Sequence, residues 1–326
     1  MFLGIDTSAY TTSLAIVDED RNLLWDQRQI LKVPEGEQGL RQSTALFSHL
    51  QNLPLLVKEV FAKFKSSEIK AIAVSSKPRP LADSYMPVFI AGLNLAQCLA
   101  AALGLPLITT THQEGHIVAG LWSAGKMDLT KFLAVHLSGG TTDVLLVERK
   151  SERPWQYKLQ ILGSSLDLHA GQFVDRVGVS LGLPFPAGPA LEKLGQEVEK
   201  LPAELTANSD KVIIKSAVKG YNMSFSGPET AARRLIRSGT AKPLIARAVE
   251  QCLATSLEKV LREAVYDTGL SDILLIGGVG ANNYLRRRLR HRLEHPAVGA
   301  RLYYPQPQYS VDNAVGVSVI ASSSYD

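Results

Sequence analysis

The sequence predicts an α/β fold of two like halves, forming two lobes with a central cleft. Two observations carry this expectation. Strand-like and helix-like segments alternate along most of the chain. The opening pattern of three short strands joined by polar turns also restarts near residue 131. A chain of 326 residues has the length for about two domains.

The elements follow in order. FLGID, SLAIVD and NLLWDQRQI read as three strands, with DEDRN as a turn. Residues 41–64 repeat apolar side chains at the helical period, and Pro54 marks a place where that helix would break. AIAVSS (71–76) is a strand, 88–103 a helix and PLITT (106–110) another strand. The second half opens with FLAVHLSGG (132–140), TTDVLLVERK and WQYKLQILGSS, all strand-like. A helical middle (170–265) and a strand, DILLIGGVG (272–280), follow. The expected lobes are 1–125 and 126–326, with the last helix, about 311–326, packing back on the first.

Composition narrows the class. Hydrophobic residues make up 45%, enough for a full core. Cys98 and Cys252 stand far apart in apolar surroundings, which argues against a disulfide framework and for a reducing, cytoplasmic setting. No basic segment followed by a long apolar run opens the chain, so no signal peptide is expected. The apolar stretch 88–108 carries Asn94, Gln97 and two glycines. It reads as a buried helix running into a strand, so no membrane partner is expected. A net charge of +4 permits a nucleic-acid partner without demanding one.

Three turns could carry chemistry: DTSAYTTS (6–13), SGGTTD (138–143) and GGVGANN (277–283). Their small residues leave backbone N–H groups open to a phosphate. The third also opens a helix, where an anion or adenosine can sit. Placed at corresponding points of two halves, they resemble the nucleotide cleft of the actin-like and sugar-kinase-like (ASKHA) ATPases, whose lobes are ribonuclease-H-like.

In THQEGH (111–116), His112 and His116 share one helical face and can share one ion. Glu114 is misplaced for the zinc-protease pattern HExxH. Two ordinary helix histidines remain the alternative from spacing alone. Asp312, in YSVDNAVG, begins an apolar helix. His136 lies in an apolar strand two residues before SGG, either as a functional group or as a satisfied core histidine.

THQEGH, LSGG, a variant DxxxGxxxD (167–175), FPAGPALEKL (185–194), SFSG (224–227), GGVGAN (277–282) and DNA (312–314) occur in one order. The chain thereby resembles the tRNA threonylcarbamoyladenosine synthase family, formerly O-sialoglycoprotease-like, over nearly its whole length. The resemblance implies an acyltransferase of actin-like fold. It implies transfer of threonylcarbamoyl from threonylcarbamoyl-AMP to N6 of the tRNA adenosine adjacent to the anticodon. The implied cofactor is one divalent ion, iron or zinc or else magnesium, with an adenine nucleotide or the adenylate as ligand. The implied partners are tRNA, a smaller family paralogue and a P-loop ATPase; a homodimer is also compatible.

By motif, His112, His116 and Asp312 correspond to the metal ligands, and Asp6 and Ser138 to catalytic groups. His136, Leu137, Ser138, Gly139, Gly140, Asp175, Gly188 and Asn282 correspond to the substrate and nucleotide contacts. His136 stands where some members place a tyrosine ligand. Departures surround these positions. DTSAYT replaces the usual ETSCD opening, KPRPLADSYMP (77–87) replaces a glycine-rich GPGL loop, and SGGTTD replaces SGGHTQ. Gln172 and His169 replace a glutamate and an alanine. Lys77 or Arg79 could supply charge where proline has removed N–H donors. The chain therefore reads as a divergent paralogue. The alternative function is a nucleotide- and metal-binding subunit or regulator that has lost the transfer.

The basic run RRRLRHR (286–292) could meet a tRNA backbone, or be a solvated helix face with Leu285, Leu289 and Leu293 inward.

Overall fold

A computed structural model describes residues 1–8, 10–33, 39–152, 155–202 and 212–323. Ala9, in the first turn, lies outside the described residues. The chain divides into two compact units. One comprises residues 1–130, 148–159 and 305–326, the other 131–147 and 160–304.

The first unit opens with β1 (Phe2–Ser8), β2 (Thr11–Val17) and β3 (Leu23–Ile30), an antiparallel meander. Helix α1 (Gln42–Lys63), β4 (Ala71–Lys77), α2 (Phe89–Leu103), β5 (Leu107–Thr111) and α3 (His112–Ser123) follow. The strand order is β3-β2-β1-β4-β5, with β4 parallel to β1 and β5 parallel to β4. Every residue of β1 and β2 is buried, the apolar FLGI and LAIV runs together with the polar residues 6–8 and 11–13 at the turn end.

Pro54 does not break α1, which runs through it. Pro54 and Leu50 both lie on the exposed side, where water can serve the carbonyl that a proline leaves without a donor. Leu53, Leu56 and Val60 hold the opposite face in the core.

The plan repeats from residue 131. β6 (Lys131–Leu137), β7 (Thr142–Glu152) and β8 (Trp155–Ser164) occupy one side of a sheet ordered β12-β11-β6-β7-β8. β11 (Asp272–Ile276) and β12 (Arg301–Tyr303) run parallel on the other side. In both sheets the first strand of the half is central, flanked by its meander on one side and two later strands on the other. This is the α/β duplication that the sequence predicts.

The middle of this unit is not wholly helical. Between α4 (Ala170–Ser180), α5 (Gly188–Gln196) and α6 (Ser226–Arg237), the strands β9 (Ala217–Lys219) and β10 (Asn222–Ser224) pair as a hairpin. Gly220 opens its two-residue turn at φ +55°, a conformation that suits glycine. Helix α7 (Lys242–Thr268) then spans the unit's core, and α8 (Asn283–Leu293) turns Leu285, Leu289 and Leu293 inward as its spacing requires.

The C-terminal segment supplies α9 (Pro307–Ser310) and α10 (Val315–Ser322) to the first unit. Asp312 lies between these two helices, not at the start of a helix as its sequence context suggests. Among the described residues no helix is long and apolar enough to cross a membrane.

Candidate functional site

The first turn of α3 sets the position of its histidines. Thr111 caps the helix, its hydroxyl oxygen accepting from the Glu114 N–H at 3.2 Å. The Glu114 carboxylate accepts in return from the Thr111 N–H at 3.1 Å and from the Thr110 and Thr111 hydroxyls at 3.0 and 2.9 Å. This reciprocal box occupies Glu114 and leaves His112 and His116, one turn apart, on a common face.

Their Nε2 atoms stand 3.1 Å apart. The Asp312 Oδ1 lies 3.2 Å from His116 Nε2 and 3.5 Å from His112 Nε2. Ligand atoms on a tetrahedral ion with bonds of about 2.1 Å are roughly 3.4 Å apart. The triangle therefore has the dimensions of three ligands to one ion. Imidazole and carboxylate donors suit zinc or iron, and three ligands leave room for a substrate oxygen.

Two contacts behind the triangle orient it. His112 Nδ1 meets the Asp6 carboxylate at 2.8 Å, and Asp6 is only 1% exposed. A neutral His112 donating Nδ1–H to Asp6 directs the Nε2 lone pair toward His116 and Asp312. The Ser8 hydroxyl donates to Asp312 Oδ2 at 2.9 Å, leaving Oδ1 to the histidines. Ser8 was not named singly in the sequence; its place within the DTSAYTTS turn, two residues after Asp6, is the signal for it.

The electrostatics follow. Burial disfavours a charged His112, but the Asp6 and Asp312 carboxylates outweigh it and push its pKa up to about 10. Burial and the charge of His112 together lower that of His116. Burial works against an ionised Asp312, yet hydrogen bonds from both histidines hold its carboxyl well below the usual range. Without an ion, the triangle thus holds a proton on His112 between two carboxylates.

Close backbone packing delivers Asp312 to α3. Gly316 of α10 meets α3 so closely that a Cβ there would lie 1.9 Å from the Gly115 carbonyl oxygen. Gly4 of β1 is equally intolerant, since its Cβ would lie 2.5 Å from the Ser318 nitrogen. The segment is also fastened by hydrogen bonds: Ala314 N–H to the Ser13 hydroxyl at 2.8 Å, and the Ser318 hydroxyl to the Phe2 carbonyl at 2.7 Å.

The substituted loop at 77–87 reaches this region through its backbone. The Gln113 N–H donates to the Pro78 carbonyl at 3.0 Å, and the Lys77 ammonium donates to the Leu81 carbonyl at 3.0 Å.

The second unit holds the remaining candidates. His136 is buried near the end of β6, in register with Ile276 of β11. Leu137 is buried beside it, and Gly139 and Gly140 are exposed in the turn that follows. The Ser138 oxygen accepts from the Thr141 and Gly140 N–H groups at 3.0 and 3.3 Å, so its hydroxyl shapes the turn. Gly171, in the first turn of α4, packs on this turn: its Cβ would lie 2.5 Å from the Gly139 nitrogen. Asp175 accepts from the Ala187 N–H at 2.7 Å, immediately before Gly188 at the start of α5. Burial raises the Asp175 pKa. Asn282 caps α8, accepting from the Leu285 N–H at 2.9 Å and donating to Glu250 at 2.7 Å.

Solved structures show the same architecture at low sequence identity. HypF from T. kodakarensis aligns with a TM-score of 0.59 at 14% identity, over 99% of this chain and 48% of that one. A ROK family glucokinase from Streptomyces griseus aligns with a TM-score of 0.53 at 13% identity, over 98% of each chain. These likenesses establish the actin-like ATPase fold. The family model for tRNA N6-adenosine threonylcarbamoyltransferase (TsaD) matches residues 32–318. A protein of that name from Thermus thermophilus is 30% identical over 98% of this chain and 91% of its own. Another, from Archaeoglobus fulgidus, is 29% identical over 97% of this chain and 88% of its own. The chain belongs to the tRNA N6-adenosine threonylcarbamoyltransferase family, a family of acyltransferases, as its ordered motifs imply.

Proposed function

We propose that the chain transfers threonylcarbamoyl from threonylcarbamoyl-AMP to N6 of the tRNA adenosine adjacent to the anticodon, with one divalent ion held by His112, His116 and Asp312. The triangle of ligand atoms with 3.1–3.5 Å edges carries this reading. Such an ion supplies Lewis-acid polarisation to an oxygen of the activated substrate. Iron or zinc suits the donors best, with magnesium less favoured by two imidazoles.

The chain's own residues do the positioning. Asp6 receives Nδ1–H from His112 and fixes its tautomer; Ser8 aims Asp312. The 138–141 turn and the adjoining N-terminus of α4 offer amides to anionic oxygen. In this reading Leu137, Ser138, Gly139 and Gly140, together with His136, shape the acyl and phosphate contact, while Asp175, Gly188 and Asn282 shape the nucleoside contact. No protein nucleophile is required, because the acceptor amine attacks an already activated carbonyl. The reading takes 1–125 and 126–326 as functional lobes, with the last helix, about 311–326, packing back on the first. It calls for tRNA, a smaller paralogue and a P-loop ATPase as partners in the cytoplasm.

The 77–87 loop favours a second reading, a subunit or regulator that keeps the metal but not the transfer. Pro78 and Pro80 lack the N–H donors that a glycine-rich loop would offer there.

The test begins with metal content of the protein as purified, beside His112→Ala/His116→Ala. Stoichiometric metal lost in the double mutant is expected. Incubation with threonylcarbamoyl-AMP, unmodified tRNA and the partners should then yield the modified nucleoside by mass spectrometry. Metal without product selects the second reading, and absence of metal in both proteins overturns both.

A further inference from the structure

The second unit contains a half-open cavity of about 600 Å³ that the transfer chemistry does not use. We propose that it binds the phosphate of a nucleotide, with the nucleoside body on its apolar side.

One wall is a face of α7. Leu244, Arg247, Gln251, Thr255 and Lys259 recur at three- and four-residue spacing along it. The segment Val212–Ser216 forms another wall, and α8 contributes Arg288. The volume lies in the range of small-molecule sites.

Charge defines the ligand. Among the described lining residues four are cationic, Lys215, Arg247, Lys259 and Arg288, and none is acidic. Arg247 is already matched, donating to Glu250 at 2.7 Å and to the Gly195 carbonyl at 2.8 Å. The other three have no carboxylate partner among the described residues. The Lys259 ammonium donates to the Ser216 hydroxyl at 2.9 Å. The Arg288 Nε is buried and has no hydrogen-bond partner among the described residues. A buried guanidinium N–H without an acceptor is rare in native proteins, and a phosphate oxygen is the acceptor that its fork fits.

Apolar side chains define the rest of the ligand. Val212 and Leu244 line the same cavity, with Ile213 at 63% exposure. Inorganic phosphate alone would leave this surface wet; a nucleoside attached to the phosphate would cover it. The nucleotide can be free or a residue of an RNA strand, since both present one phosphate and one base.

Protection of Lys215 and Lys259 from acetylation, read by peptide mass spectrometry, locates the ligand directly. The full-length protein is labelled alone, with AMP, with a short single-stranded RNA and with inorganic phosphate. Exposed Lys193 and Lys219, outside the cavity, serve as internal controls. AMP or the RNA should slow labelling of Lys215 and Lys259 about threefold at roughly twice its Kd, leaving the controls unchanged. AMP protection identifies a free nucleotide, and protection by RNA alone identifies a strand. Arg288→Gln should abolish the protection while the controls stay as in wild type. Phosphate protecting where both nucleotides fail overturns the nucleotide assignment. No selective protection, or full protection in Arg288→Gln, overturns the site.

Discussion

Gly316 of α10 meets the backbone of Gly115 of α3, 201 positions away in sequence, so closely that there is no room for a methyl group on Gly316. This contact brings the carboxylate of Asp312 within 3.2 Å of His116. The candidate site thus depends on Gly316, a residue that has no side chain to contribute.

Gly316→Ala tests that dependence. Its Cβ would lie 1.9 Å from a carbonyl oxygen that cannot swing aside. Overpacking of this kind should cost roughly 2–3 kcal/mol of stability. Chemical denaturation measures the loss, and metal content should fall with it. Gly139→Ala is the contrast: nothing lies within 4 Å of its Cβ, and stability should change by less than about 1 kcal/mol.

Asp6→Asn separates orientation from ligation. The substitution keeps the shape but replaces the carboxylate facing His112 Nδ1. Metal affinity should drop roughly 10–100-fold, the usual cost of losing an orienting carboxylate. Competition with a chelator reads the change. An unchanged affinity would remove Asp6 from the metal-orienting role.

Metal uptake should release protons. His112 without an ion has its pKa raised to about 10, while Asp312 is already ionised and His116 is favoured neutral. Binding at neutral pH must therefore displace about one proton. Calorimetric titration in buffers of different ionisation enthalpy gives the number.

The same raised pKa makes metal-free stability fall with pH. The folded value exceeds the unfolded reference of 6.5. The His112 contribution is thus fully present below pH 6.5 and is lost as pH rises toward about 10. His112→Gln should flatten this part of the profile in denaturation midpoints.

Asn282→Ala asks whether this side chain is structural. It caps α8 and donates to Glu250, which is 1% exposed. Loss of the cap should cost about 1–2 kcal/mol in the absence of any nucleotide. A variant as stable as wild type but impaired in nucleotide binding would assign Asn282 to ligand contact alone.

Much of the protein was legible from local pattern. Period-2 and period-3.6 runs marked the strands and helices, and the restart near residue 131 revealed the duplicated sheet. The four-residue spacing of His112 and His116 announced a shared face, because an α-helix brings residues one turn apart together whatever surrounds it. The ordered motifs identified the family. The continuation of α1 through Pro54 was not legible, since it depends on which side of the helix meets solvent. Nor was the β9–β10 hairpin, whose three-residue strands are too short to show a period.

Tertiary structure alone decided the rest. The segment carrying Asp312 reaches the histidines because Gly4 and Gly316 allow α10 to approach β1 and α3. Asp6 and Ser8 acquire their partners only once β1 lies beside that segment. The sequence by itself determined the fold, the family and the paired histidines, because those follow from periodicity and order along the chain. The ordered motifs also named Asp312 as the third candidate ligand; its distance to the histidines and its supports follow from close approach between distant backbones, a property that no local spacing encodes.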